Sequence, residues 1–363
     1  MVLAEKKLEL LENMNPSEVP SSKLQTTKTP PTKVQMDDIA RLAGVSVSTV
    51  SRALSQSPLV SEKTRLRIAE LAKSLKYSVN VGAQNLRRGQ NRTVAVVIPY
   101  DARSRQHVSD PFFIGMLGSI ADALTLQGYD MLLSRIDADR LDLAAQYCDS
   151  GRAVGVIVIG QWGHHDQLNE LASRHLPLVV WGAELPKQLY CTVGSDNVEG
   201  GSLATSHLLT TGRRRVAFFG DTQMPEVAQR FEGYKRAHRA LGMPVSPELV
   251  VKVPFIAEAA RAAVKSLVAK PISFDAIFAC SDLLAITAIG ALRDVGLSVP
   301  TDIAVVGYDD VEMASYCHPA LTTVHQSIEV AGRALVEALL AIQRGAEVLP
   351  NHLPTQLIVR ASA

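Results

Sequence analysis

From Thr93 onward the sequence repeats one pattern, a short apolar run followed by a helical stretch. The runs are VAVVIP, VGVIVIG, LPLVVWG, RVAFFGD, DAIFACSD and DIAVVGYDD. A strand with one wet face alternates apolar and polar residues, whereas a strand covered on both faces carries a continuous apolar run. Runs of this kind separated by helices require an α/β architecture on parallel strands. About 270 residues follow Arg92, which is large for one sheet, so two similar lobes are expected. Several runs end at polar residues, among them Asp221, Asp282 and Asp309. Open parallel sheets bind ligands at the carboxyl ends of their strands, so a binding site is expected there.

The segment ahead of these runs differs in kind. Val34 to Arg92 holds ten Lys/Arg against four Asp/Glu, and Thr93 to the end holds 22 against 28. A chain of net charge +1 thus divides into a basic head and an acidic body. The asymmetry fits a polyanion-binding head; it fits a solvated helical surface as well. Residues 35 to 78 read as three short helices. Ile39, Ala40 and Ala43 share a face of the first, from Met36 to Ala43. Gly44 suits the turn, because glycine takes positive φ without strain. Ser46 is placed to cap the second helix, which carries Val50 and Leu54 inward. After the loop SQSPLVS, Ser61 caps the third helix and Glu62 complements its positive end. Ile68, Leu71, Ala72 and Leu75 then recur at i, i+3, i+4 and i+7.

The second helix is crowded with hydroxyls, at Ser46, Ser48, Thr49 and Ser51, although serine and threonine are mediocre helix formers. Two helices joined at a glycine turn, the second hydroxyl-rich and in a basic segment, make a helix-turn-helix. In that reading the hydroxyls and Arg52 face phosphates and base edges, and Val47 meets a thymine methyl. An ordinary helical hairpin has the same outline.

Residues 1 to 33 are polar and contain Pro16, Pro20, Pro30 and Pro31, so a disordered tail is expected, with Met14 or Met36 as alternative starts. The beginning lacks the apolar stretch of a signal peptide, and no run of about 18 apolar residues marks a membrane span. Cys148, Cys191, Cys280 and Cys317 form no CxxC pair, which fits buried thiols in a reducing cytosol. The sequence has no GxxxxGK[ST], HExxH or GxSxG motif, so an enzyme is not expected. His164–His165 lacks partners at metal-ligand spacing. Neither a metal nor a cofactor is expected. A sugar-transport module would need an export signal and no basic head.

Five stretches carry a resemblance. MDDIARLAGVSVSTVSRAL with VSEKTRLRIAELAKSLKYSVNVGAQNLRRGQ is the first. DPFFIGMLGSIADAL, GSDNVEGGSLATSHLLTTGRRRVAFFGD, QRFEGYKRAHRALG and FACSDLLAITAIGALRDVGLSVPTDIAVVGYDDVEMASYCHPALTTVHQ follow. In that order they closely resemble the lactose/galactose repressor (LacI/GalR) family of bacterial transcriptional regulators, over about residues 35 to 360. The resemblance implies an α/β protein with an all-α helix-turn-helix head, joined by a hinge to a two-lobed core of periplasmic-binding-protein type. By that plan residues 34–78 are the head, 79–92 the hinge and 93–363 the effector-binding and dimerisation core. The first lobe is about 93–195 and 323–349, the second about 196–322 and 350–363.

The same resemblance assigns roles. Val47 and Ser48 match the main base-reading positions and Arg52 a third. Thr49 and Ser51 meet phosphate or pack, and Ser55 lies just past the helix. Leu86, in GAQNLRRG, matches the leucine that wedges into a minor-groove base step. Val79 stands where the family often has proline, and Gly82 lies inside the hinge helix. In the core, Arg230 and Asp309 match a ligand-binding arginine and acid, a pair suited to polyol hydroxyls. Phe112, Phe113 and Phe255 match pocket-lining rings, and Asp282 matches a commonly polar site. Ser281 replaces an asparagine seen in some members. Trp181, at a strand end, is placed to stack on a sugar face or to pack. The expected protein is a cytoplasmic, nucleoid-associated bacterial regulator, a repressor that binds palindromic duplex DNA as a homodimer under control of a sugar or sugar derivative. A purine- or nucleoside-responsive corepressor mechanism is the alternative within that class.

Overall fold

The computed structural model describes residues 35–55, 57–75, 77, 91–101, 106–270 and 273–363. The expected tail and nearly all of the hinge, including Val79, Gly82 and Leu86, lie outside them. The chain divides into two compact units, Met1–Val81 and Gly82–Ala363.

The first unit contains α1 (Met36–Ala43), α2 (Val47–Leu54) and α3 (Glu62–Ser74). Their ends follow from local chemistry. The Asp38 carboxylate accepts the Gln35 N–H at 3.0 Å ahead of α1. Gly44 ends α1 at φ 63°, in the left-handed region. Ser46 Oγ accepts the Thr49 N–H at 3.2 Å, and Ser61 Oγ the Thr64 N–H at 3.4 Å, so both serines cap as expected. Ile39, Ala43, Val50, Ala53, Ile68 and Ala72 meet in one small core. Arg67 on α3 donates to the Ala43 carbonyl at 2.7 Å, tying α3 to the end of α1.

The second unit alternates strands and helices along its length. Its first stretch runs β1 (Thr93–Tyr100), α4 (Pro111–Leu126), β2 (Asp130–Asp137), α5 (Ala145–Asp149), β3 (Val156–Ile159), α6 (His165–Ser173), β4 (Leu178–Trp181) and β5 (Cys191–Ser195). Next come α7 (Asn197–Thr210), β6 (Val216–Phe219), α8 (Pro225–Ala240), β7 (Val250–Val251), α9 (Ala257–Val268), β8 (Ala276–Ala279), α10 (Asp282–Asp294) and β9 (Ala304–Asp309). The last stretch is α11 (Met313–Tyr316), β10 (Thr322–Gln326), α12 (Ile328–Gln343), β11 (Asn351–Leu353) and β12 (Thr355–Ile358).

The strands form two six-stranded sheets, ordered β11-β5-β4-β3-β1-β2 and β12-β10-β9-β8-β6-β7. All neighbours are parallel except β10 and β12, which run antiparallel with Thr323 opposite Ile358. In the first sheet, Val94, Val96 and Ile98 of β1 join one core and Ala95 and Val97 join another on the opposite face. The continuous apolar run is thus the signature of a doubly covered strand. The expected runs form β1, β3, β4, β6, β8 and β9.

The lobe boundaries differ from the sequence-based division. β10 belongs to the second sheet, beside β9, and β11 to the first, beside β5. The chain therefore crosses between lobes after Ser195, after Gln326 and between β11 and β12. The first lobe takes 93–195 and 328–353, and the second 196–326 and 355–363. A strand's sheet is decided by its distant hydrogen-bonding neighbours, which its own residues do not name. Among the described residues, no helix is long and apolar enough to cross a membrane.

Candidate functional site

Two sites emerge, one in each unit. In the helical unit, Val50 and Ala53 turn α2 toward the core. At 3.6 residues per turn, Val47, Ser48, Ser51, Arg52 and Ser55 then fall on the opposite side. Val47, Ser48 and Arg52 are exposed, and Thr49, Ser51 and Ser55 are half-buried. Some hydroxyls have partners at home. Ser46 Oγ lies 2.8 Å from both Ser48 Oγ and Thr49 Oγ1, and Ser55 Oγ donates to the Arg52 carbonyl at 3.1 Å. The excess of hydroxyls is thus partly a capping cluster of Ser46, Ser48 and Thr49, with Ser51 outside it.

In the core, a cavity of about 90 Å3 opens between the lobes. Phe112, Phe113, Trp181, Arg230, Phe255 and Asp309 all line it, so the structure gathers six of the seven core residues singled out by sequence. They sit at or past the carboxyl ends of parallel strands, or in the first two turns of the helices that follow, where such sheets hold ligands. Phe112 packs beside Trp181 with ring centroids 6.3 Å apart, and beside Phe113 at 5.7 Å.

The seventh, Asp282, is a correction. It opens α10 fully buried, away from the cavity wall. Its carboxylate accepts from Thr323 Oγ1 and, at 2.9 Å, from the Val311 N–H. Burial raises its pKa to about 7, against the lowering effect of those bonds. The preceding residue, Ser281, lines the cavity instead and caps α10 through the Leu284 N–H at 3.3 Å. At a strand-to-helix turn adjacent side chains diverge, so one position decides whether a residue faces ligand or core.

Arg230 is held in place from three elements. Its Nε donates to Asn197 Oδ1 at 2.9 Å and its Nη1 to the Cys280 carbonyl, while its guanidinium lies 3.7 Å over the Tyr308 ring. The helix that carries it packs closely on α7: a Cβ at Gly201 would come within 2.1 Å of the Arg230 carbonyl, and one at Gly233 within 2.1 Å of the Val198 carbonyl. Asp309 closes β9 at φ 119°, followed by Asp310 at φ 57°. Backbone held in such sparsely populated regions is concentrated at functional sites. No ion pair joins Arg230 to Asp309 among the described residues. Burial raises the Asp309 carboxyl well above its ordinary range, and the nearby guanidinium only partly offsets this.

Several lining residues escaped the sequence reading. Gln161 follows β3 and is fully engaged, donating to the Ala183 carbonyl at 2.7 Å and Tyr190 Oη at 2.9 Å and accepting the Ala183 N–H at 2.9 Å. Its place directly after an apolar run was a usable signal. Trp162 takes φ 51° beside it. Glu226, in the first turn of α8, had no such signal. Gln326 is buried at a crossing between lobes; it donates to Asp309 Oδ1 at 2.6 Å and accepts from Ser195 Oγ at 2.6 Å. That chain of bonds links the cavity's acid to the end of β5 in the other lobe. His164 and His165 lie outside the cavity: His164 faces Gln167 and Asp139, and His165 faces Tyr190 and Asn169.

Residues 35–80 match the profile described as bacterial regulatory proteins, lacI family, and residues 205–363 that of the periplasmic binding protein-like domain. The HTH-type transcriptional regulator CelR of Thermobifida fusca is 33% identical, over 90% of this chain and 97% of its own. The chain belongs to the LacI family. The HTH-type transcriptional repressor PurR of Aliivibrio fischeri is 30% identical, over 84% of this chain and 90% of its own. A solved complex of the transcriptional regulator CelR with cellobiose matches with a TM-score of 0.67 at 32% identity, covering 91% of this chain and 100% of that one. As a LacI-family member the chain is a DNA-binding transcriptional regulator, with the helix-turn-helix in the first unit and the periplasmic-binding-protein-like lobes in the second.

Proposed function

We propose that this regulator is a repressor that binds a palindromic operator as a homodimer and is released when a sugar-like polyol occupies the cavity between its lobes. The observation that carries the reading is the cavity's make-up: aromatic rings of Phe112 and Trp181 together with a fixed Arg230 and a buried Asp309. An aromatic plane suits the apolar C–H face of a sugar ring, and a guanidinium with a carboxylate suits its hydroxyls. The relative bound to cellobiose supports the same class of ligand. Phe255 and Phe113 complete the apolar lining.

On the DNA side, Val47, Ser48 and Arg52 read base edges, Thr49, Ser51 and Ser55 meet phosphates or hold the helix, and Leu86 wedges between bases. Residues 34–78 serve as the head, 79–92 as the hinge and 93–363 as the core. The exposed Ile114 and Met313 line one groove of the core, an apolar surface for a second copy.

The test is a titration of the protein–operator complex, by fluorescence anisotropy, with neutral mono- and disaccharides and with purine bases. Release by a sugar is the expected result. Tightening by a purine base would replace the reading with a corepressor mechanism. Arg52→Ala should weaken operator binding by about 1–3 kcal/mol and leave sugar binding unchanged; equal operator affinity would remove Arg52 from the reading face.

A further inference from the structure

The charges around the cavity are unbalanced. Among the described lining residues, Asp110, Glu226 and Asp309 carry carboxyls, and Arg230 alone carries a cation. That cation is largely engaged inside the protein, with Nε on Asn197, Nη1 on the Cys280 carbonyl and its face on Tyr308. The carboxyls have few strong donors. Asp110 accepts the Phe112 N–H at 3.1 Å and Gln106 Nε2 at 3.3 Å, Asp309 accepts Gln326 Nε2, and the Glu226 carboxyl meets the backbone N–H groups of Glu226 itself and Gln161. Burial is the largest influence on all three and raises each above its ordinary range. Asp110 and Asp309 also sense one another, since the charge of Asp110 adds to the rise at Asp309. A site whose burial raises its carboxyls disfavours negative charge of any origin, a ligand anion's included, because a partly dry site solvates and screens charge less than water does. The same groups accept from a hydroxyl or an ammonium.

We infer that Asp110, Glu226 and Asp309 make the cavity an anion filter, which admits an uncharged or amine-bearing polyol and refuses the phosphorylated or carboxylated form of the same sugar. The inference rests on the sugar reading above and adds the charge of the ligand to it. It assigns Asp110 and Glu226 to specificity. Asp110 achieves this from the N-cap of α4, where its carboxyl also receives a helix N–H.

The experiment is isothermal titration of the full chain with matched sets of sugars. Each set holds a neutral sugar, its 2-amino form, its uronate and its 6-phosphate, in the gluco, galacto and manno series and as β-1,4 disaccharides. In whichever series binds, the neutral or amino member should bind at least about tenfold more tightly than both anionic members, a difference of about 1.4 kcal/mol. The double variant Asp110→Asn, Glu226→Gln should narrow that gap. If the double variant does not fold, Asp110→Asn alone serves, since asparagine caps a helix as well as aspartate does. An anionic member binding as tightly as the neutral one overturns the filter. So does a gap unchanged in the folded variant. If no sugar of any charge binds, or only a purine base does, the sugar reading itself fails and the filter falls with it.

Discussion

The two lobes share a sheet plan but divide the chemistry of the cavity. The first supplies most of its aromatic surface, in Phe112, Phe113, Trp162 and Trp181; the second supplies fixed polar groups, in Arg230, Ser281 and Asp309. Asp110 and Phe255 cross that division. The aromatic side is built from residues that also belong to the lobe's own core: Phe113 and Trp181 are buried with Val96 and Ile98. The polar side is held by hydrogen bonds whose partners come from α7, the residue after β8 and the crossing at Gln326. Apolar burial is non-directional and scales with area, whereas charge-assisted hydrogen bonds carry geometric specificity. Changes in the first lobe should therefore cost folding and binding together, and changes in the second should cost binding more than folding.

The largest effect should come from Trp181→Ala. Truncating a buried tryptophan typically costs about 3–5 kcal/mol of stability, read by urea unfolding of the full chain. A loss under about 1 kcal/mol would break the comparison, by showing that the aromatic wall is not core. Next is Asp309→Asn, with Arg230→Ala beside it. Losing a hydrogen bond to a charged group costs about 1.5–3 kcal/mol, or roughly ten- to a hundredfold in effector affinity. Operator affinity should stay close to wild type. A variant that releases DNA at the wild-type effector concentration would remove the polar side from ligand binding. A variant that is folded and cannot bind operator would show that the pair serves coupling between lobes instead.

A smaller effect is expected from Gln326→Ala, which breaks the link from Asp309 to Ser195. The loss should be about 1 kcal/mol and should appear as weakened effector response. An unchanged response would mean that the two lobes need no polar link at that crossing.

A separate test concerns pH. Asp282 titrates at about 7 when folded, against an ordinary 3.8. The folded chain thus keeps a proton that the unfolded chain gives up over that interval. Its contribution to stability is fully present below 3.8, falls as pH rises toward about 7, and is level beyond. Asp282→Asn should flatten that part of a melting-temperature profile. A profile as steep as wild type would show that other groups govern the window.

Part of the cavity was legible because strand ends are legible: Asp309 and Trp181 close apolar runs. Phe112, Phe113, Phe255 and Arg230 followed from the family resemblance instead. Asp282 was misplaced by a single position for a related reason. The run locates the end of the strand, but the turn after it decides which of Ser281 and Asp282 faces the cavity. Glu226 could not be read at all, since an acidic residue in the first turn of a helix is ordinary on electrostatic grounds alone.

The sequence by itself determined the local elements. The apolar runs require doubly covered strands, Gly44 the turn in the head, and Ser46 and Ser61 the starts of two helices, because periodicity, backbone freedom and capping act within a few residues. Only the tertiary structure decided which sheet a short strand joins. β2 is an edge strand with Leu133 exposed, and β7 has two residues, so neither carries a long buried run. β10 and β11 exchange lobes because of partners far along the chain, with Thr322 beside Val306 and Asn351 beside Val193. Sheet membership is a property of hydrogen bonds between distant segments. Those same long-range pairings place Gln326 between Asp309 and Ser195, a connection that no stretch of sequence contains.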